Sequence, residues 1–123
     1  MLWTFAAVAA ARNAACSAFL NHNQQRPDVV VRPSGLQFRV LRHGSGNAHP
    51  AVDALTECRY EGRTSTNYPG GRVFDTSYGG NPAVFSPRQV IQGWTEAMQM
   101  MVEGDKYELF IPSELGYGDR GDP

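Results

Sequence analysis

The sequence predicts an α+β domain, and two periodicities and the chain length carry that expectation. Apolar positions alternate at Leu36, Phe38 and Val40, at Thr56, Cys58 and Tyr60, and at Tyr107, Leu109 and Ile111, the period of half-buried strands. Trp94, Met98 and Met101 instead recur at i, i+4 and i+7, the period of one amphipathic helix that packs on a sheet. A chain of 123 residues is long enough for one domain and too short for two.

Taken in order, Met1 to Leu20 has no acidic residue, one arginine and many alanines, and reads as a targeting leader. Its composition leaves the secretory pathway and the mitochondrion both open; without a leader the domain is expected to be cytoplasmic. The apolar run Leu2–Ala11 is shorter than the roughly twenty residues of a membrane span. Asn21 to Pro33 is polar at first, holds two prolines, and reads as an extended linker ahead of a domain over residues 34–123. A strand is then expected from Leu36 to Leu41, ending at Gly44-Ser45-Gly46, and a second from Thr56 to Glu61 with Tyr60 pointing inward. Gly62 to Arg72 is rich in turn residues and is expected at a hairpin tip, away from chemistry. Ser86-Pro87-Arg88-Gln89 sets a capping hydroxyl before proline and predicts a short helical turn. The helix through Trp94 is expected to end at Gly104, and the last strand to run from Lys106 to Ile111, closed by Pro112.

Charge and motifs exclude several classes. Twelve acidic and eleven basic residues give a net charge of −1 with no basic cluster, so nothing supplies the footprint of a nucleic-acid or anionic-membrane binder. Cys16 and Cys58 have no metal-ligand or CxxC spacing, and His22, His43 and His49 are scattered without zinc-type spacing. The glycine-rich segments match no phosphate-cradling motif. No cofactor or metal is expected.

Three ordered runs say more: Val73-Phe74-Asp75-Thr76-Ser77, Val90-Ile91-Gln92-Gly93-Trp94-Thr95-Glu96-Ala97-Met98, and Glu114-Leu115-Gly116-Tyr117-Gly118. Together they resemble the FKBP-type peptidyl-prolyl cis-trans isomerases, and the spacing from Pro82-Ala83-Val84-Phe85 to Trp94 is most similar to the macrophage-infectivity-potentiator branch. The resemblance covers roughly Ser34 to Gly121. It implies a twisted antiparallel β-sheet half wrapped around one short α-helix, with the cavity between them. It further implies that the chain lacks the family's apolar flap and last strand, which in relatives pairs inside the sheet; residues 34–123 would then be an incomplete domain.

The implied chemistry is rotation of X-Pro bonds. Twisting a peptide bond costs about 20 kcal/mol because amide resonance is lost, and no covalent bond is made or cut. No nucleophile is needed; a dry apolar pocket disfavours the polar planar amide, and a few hydrogen bonds fix the twist. A thousandfold to millionfold gain needs roughly 4 to 8 kcal/mol of selective stabilisation. By resemblance, Tyr60, Phe74, Phe85, Val90, Ile91, Trp94 and Tyr117 line the pocket with Trp94 as its floor, and Ala83 and Gly116 lie at its wall. Asp75 faces the bound carbonyl region, and the Ile91 backbone N–H and the Tyr117 hydroxyl donate to a ligand.

Each residue also has an ordinary structural role open to it. Trp94 at helical spacing can be core filler, Asp75-Thr76-Ser77 can close a turn, and Tyr60 and Phe74 can be plain strand aromatics. Beside the isomerase stands a second function, a non-catalytic module that holds proline-containing segments in the same groove. Expected partners are proline-containing peptides and client proteins, with tacrolimus or rapamycin as pocket ligands by resemblance.

Overall fold

The computed structural model describes residues 3–9, 14–64, 68, 73–77, 79–81, 83–112 and 115; for residues 3, 5–9, 14–17, 64, 74 and 75 it describes the backbone alone. The chain runs through β1 (Trp3–Ala9), α1 (Ala14–Asn23), β2 (Val30–Val31), β3 (Gln37–Arg42), β4 (Thr56–Thr64), β5 (Val73–Thr76) and β6 (Ala83–Phe85). A 3-10 turn at Pro87–Gln89, the helix α2 (Gln92–Met100) and β7 (Lys106–Ile111) follow. The expected α+β class holds. One sheet is ordered β2-β3-β7-β1-β4-β5, with β6 pairing the same edge of β4 nearer its start.

Pairing is antiparallel at β2–β3, β3–β7, β4–β5 and β4–β6. The exception is the centre, where β1 runs parallel to both neighbours, Thr4 lying opposite Arg59 on one side and Lys106 on the other. The leader reading sets Trp3–Ala9 outside the globular fold, whereas the structure threads this segment between two strands. The linker reading also differs. Asn21 to Asn23 finish α1, and Val30–Val31 pairs with β3. The polar residues of this stretch, which suggested an extended chain, are spent on tertiary bonds instead: the Asn23 side-chain amide donates to Gln37 Oε1 at 2.8 Å, and the Gln37 amide donates to the Leu20 carbonyl at 3.0 Å.

The core lies between α2 and the concave face of the sheet. Leu36 and Phe38 from β3 and its approach, Cys58 from β4, and Tyr107, Leu109 and Ile111 from β7 meet Trp94, Ala97, Met98 and Met101. The period-two and i, i+4, i+7 expectations for these faces are therefore met. Helix α2 stops at Met100 rather than near Gly104. The Met101 N–H closes the last turn on the Ala97 and Met98 carbonyls, and Gly104, at φ +91°, serves a separate turn instead. That turn is pinned by the buried Asp105 carboxylate, which accepts from the Gly44 N–H at 2.6 Å and the Val102 N–H at 2.9 Å.

The opposite face of the sheet is covered too. Phe110 is fully buried, its ring 6.0 Å from Phe19 of α1 and 5.6 Å from Tyr68. The Arg26 guanidinium sits over both the Tyr68 and Phe110 rings, and the Tyr68 hydroxyl donates to Glu108, which also pairs with Arg39. Tyr68 belongs to the segment expected at a hairpin tip; of that segment, residues 62–64 continue β4, and residues 65–67 and 69–72 lie outside the described residues.

Cys58 gives a pH prediction. Burial pushes its thiol up to about 12, whereas a thiol in the unfolded chain ionises near 8.5. Between these values the folded protein holds a proton that the unfolded chain has lost, so stability falls as pH rises through this window. By pH 10 the loss should reach about 1.5–2 kcal/mol. Burial, followed by the Asp105 carboxylate, also raises the Tyr107 phenol, so Cys58→Ala is needed to isolate the thiol. Urea denaturation at pH 8 and pH 10 should show the wild type losing more stability than the variant; equal losses would mean that the thiol ionises freely in the fold.

Candidate active site

Three of the aromatics expected at the site converge at the first turn of α2. The Tyr60 and Trp94 rings meet edge to face with centroids 4.8 Å apart. Phe85 lies 6.1 Å from Tyr60 and 6.2 Å from Trp94, nearly stacked on the latter at 26°. Such spacings are those of mutually attractive aromatic pairs. Each comes from a different element, β4, β6 and α2, so the box exists only when the sheet and the helix are docked. Trp94 is 6% exposed, while Tyr60, Phe85, Val90 and Ile91 are half-buried against the core, so the box has an accessible side.

The local chain explains why these residues converge. Ser86 begins the 3-10 turn, its N–H donating to Gln89 Oε1 at 2.8 Å while the Gln89 N–H returns to the Ser86 carbonyl at 3.0 Å. Val90 and Ile91 then run extended into α2, with Ile91 at the N-cap and no side-chain cap bond. Ser, Thr, Asp or Asn is the strong preference at such a position, because their oxygens satisfy the first-turn N–H groups. An isoleucine there puts apolar surface beside first-turn donors that its own side chain cannot cap. Thr95 holds the bend: its hydroxyl lies 2.5 Å from the Pro87 carbonyl, 3.3 Å from that of Val90 and 3.2 Å from that of Ile91.

Sequence reasoning did not assign Ser77 a positioning role, and the structure supplies one. The Tyr60 N–H donates to Ser77 Oγ at 2.8 Å and the Ser77 N–H to the Tyr60 carbonyl at 3.0 Å. The chain just past Asp75 is thereby clamped to the strand that carries Tyr60. A hydroxyl two residues beyond Asp75 was the available signal, since serine readily bonds nearby main chain at strand ends. Asp75 itself lies in β5 opposite Gly62, and Phe74 precedes it; the backbone brings both alongside β4. Ala83 pairs with Cys58 at the start of β6. Gly116 and Tyr117 lie outside the described residues.

An apolar aromatic box at an open helix start can strip water from a ligand and orient its carbonyl, and such work needs no nucleophile. Among the described residues no group of three or more His, Cys, Asp or Glu side chains is placed to hold a metal ion. No described helix is long and apolar enough to cross a membrane.

Comparison with known proteins places this geometry in a class. The profile described as FKBP-type peptidyl-prolyl cis-trans isomerase matches residues 46–123, and that of the domain amino-terminal to FKBP-type isomerases matches residues 3–40. The chain belongs to the FKBP-type peptidyl-prolyl cis-trans isomerase family. It is 46% identical over 104 residues to the macrophage infectivity potentiator of Trypanosoma cruzi, an alignment covering 84% of this chain and 51% of that protein. To the FKBP-type 22 kDa peptidyl-prolyl cis-trans isomerase of Escherichia coli it is 43% identical over 108 residues, covering 84% and 48%. Among solved structures, a peptidyl-prolyl cis-trans isomerase from Pseudomonas syringae superposes with a TM-score of 0.72 at 35% identity, over 83% of this chain and 71% of that one. FkpA from Escherichia coli superposes with a TM-score of 0.74 at 32% identity, over 87% and 48%. The chain spans about half the length of the curated relatives it matches.

Proposed function

We propose that this chain accelerates cis/trans rotation of X-Pro bonds in client polypeptides, without covalent catalysis. The observation that carries this reading is the Tyr60–Phe85–Trp94 box at the start of α2, where an isoleucine takes the N-cap, in a chain of the isomerase family. In this reading the proline ring enters the box over Trp94, between Val90 and Ile91 on one side and Phe74 and Ala83 on the other. The Ile91 N–H and the Tyr117 hydroxyl would donate to the ligand's carbonyls, Asp75 would face the bound carbonyl region, and Gly116 would belong to the same substrate site. Desolvation weakens the planar amide more than the twisted one, and orientation supplies the remainder. Tacrolimus and rapamycin fit the same box as proline mimics. Residues 34–123 would form the isomerase unit, and residues 1–33 would contribute two strands, β1 and β2, and the helix α1 to it.

The test is catalysed isomerisation of a proline tetrapeptide by the whole chain, with circular dichroism on the same sample. Catalysis abolished by rapamycin is expected. A folded protein that binds the peptide without accelerating it would replace the enzyme with a proline-binding module.

A further inference from the structure

A second concavity shares Val90 with the wall of the proposed proline site. Val52, Arg88, Val90, Gln92, Thr95, Glu96 and Gln99 line an open groove of about 450 Å³ on the outer side of α2, within the range of roughly 300–1,000 Å³ typical of ligand sites. Val90 links the two, packing against the core cluster that includes Trp94 and lining the groove. A chain leaving the box past Val90 therefore meets this groove next.

The groove is built and its charges are already matched. The Arg88 N–H donates to the Val52 carbonyl at 3.0 Å, and its guanidinium reaches Asp53 at 2.5 Å, fixing the wall that carries Val52. Glu96 is taken by Arg32 Nε at 3.0 Å and by the Ser34 hydroxyl at 2.5 Å. The Thr95 hydroxyl is occupied with main-chain carbonyls. Gln99 anchors its amide nitrogen on the Thr95 carbonyl at 3.0 Å, which leaves its amide oxygen to accept from a peptide N–H. A site whose ions are internally paired gains little from a charged occupant. Val52, 41% exposed, and Val90 instead favour an apolar side chain.

We infer that this groove is an accessory subsite for the polypeptide flanking the isomerised proline, taking an uncharged apolar residue of the client. The inference rests on the proline-site reading above, and it narrows the substrate class to extended, apolar-flanked proline segments rather than isolated X-Pro units.

The test compares binding of two fluorescent peptides to the whole chain: a proline tetrapeptide, and a twelve-residue peptide with leucines on both sides of the same core. Wild type should bind the longer peptide about tenfold more tightly, or about 1.4 kcal/mol. Val52→Asp and Gln99→Trp, which make the groove polar or fill it, should bring the longer peptide down to the affinity of the shorter one and leave the tetrapeptide unchanged. Equal wild-type affinity for the two peptides would overturn the subsite, as would equal weakening of both peptides in the variants. Tetrapeptide turnover, measured in parallel, reports on the isomerase reading alone: graded binding without turnover removes the enzyme and keeps the subsite.

Discussion

Replacing Trp94 with alanine is expected to destabilise the protein by about 3–5 kcal/mol, the range for deleting a buried tryptophan. Small domains have only about 5–15 kcal/mol in total, so much of the protein should unfold well below the wild-type midpoint in urea. The indole is in contact range of Tyr60 and Phe85 and lies in the same cluster as Met98 and Leu109. The alanine variant removes the floor of the proposed site and the keystone of the core at once, so it cannot separate the two roles. Trp94→Leu can, because leucine restores apolar volume without the ring platform. It should recover part of the stability and still accelerate the tetrapeptide at least tenfold less than wild type, a barrier change of about 1.4 kcal/mol. Full activity in Trp94→Leu would make the indole a core filler.

Gly44→Ala is expected to cost about 3 kcal/mol or more, at the severe end for adding one methyl group. A β-carbon at Gly44 would stand 2.1 Å from the Glu103 carbonyl oxygen, 2.5 Å from the Gly104 carbonyl carbon and 2.6 Å from the Asp105 nitrogen. All three are main-chain atoms, so no side chain can swing aside. Moving the two segments apart would also stretch the 2.6 Å bond from the Gly44 N–H to Asp105. Gly80 is the control, since a β-carbon there meets nothing within 4 Å. Gly80→Ala should leave the stability unchanged or raise it by less than about 1 kcal/mol. If Gly44→Ala behaved like Gly80→Ala, the packing of residues 44–46 against 103–105 would be refuted.

What the sequence disclosed follows from how local each determinant is. The inward faces of β3, β4 and β7 were legible because alternation is written into five or six neighbouring residues. The buried state of Glu108 and Phe110 was not, since both read as outward positions on a one-sided strand. Their cover comes from Phe19, Arg26 and Tyr68, far away along the chain. Ala14–Asn23 likewise has no apolar stripe to announce a docking helix; among its described side chains the Phe19 ring and the Asn23 amide attach it. At the candidate site, the convergence of Tyr60, Phe85 and Trp94 was legible only through resemblance, because nothing in their spacing joins three separate elements. Val52 had no signal at all. It sits in a loop, and its place beside Val90 depends on the main-chain bond from Arg88.

The central position of β1 has a consequence for how the molecule is made. Thr4 is synthesised before both of its partners, Arg59 and Lys106, the second of them about a hundred residues further on. Until β4 emerges the first strand has nothing to pair with, and until β7 emerges one of its edges stays open. Closing contacts across almost the whole chain carries a loop-entropy cost that local contacts avoid, and such topologies fold slowly. During that delay an apolar segment with unpaired main-chain groups is exposed at the ribosome. Emergence of β7 is thus the step that completes the sheet around β1, and any pause before it leaves the centre of the sheet half built.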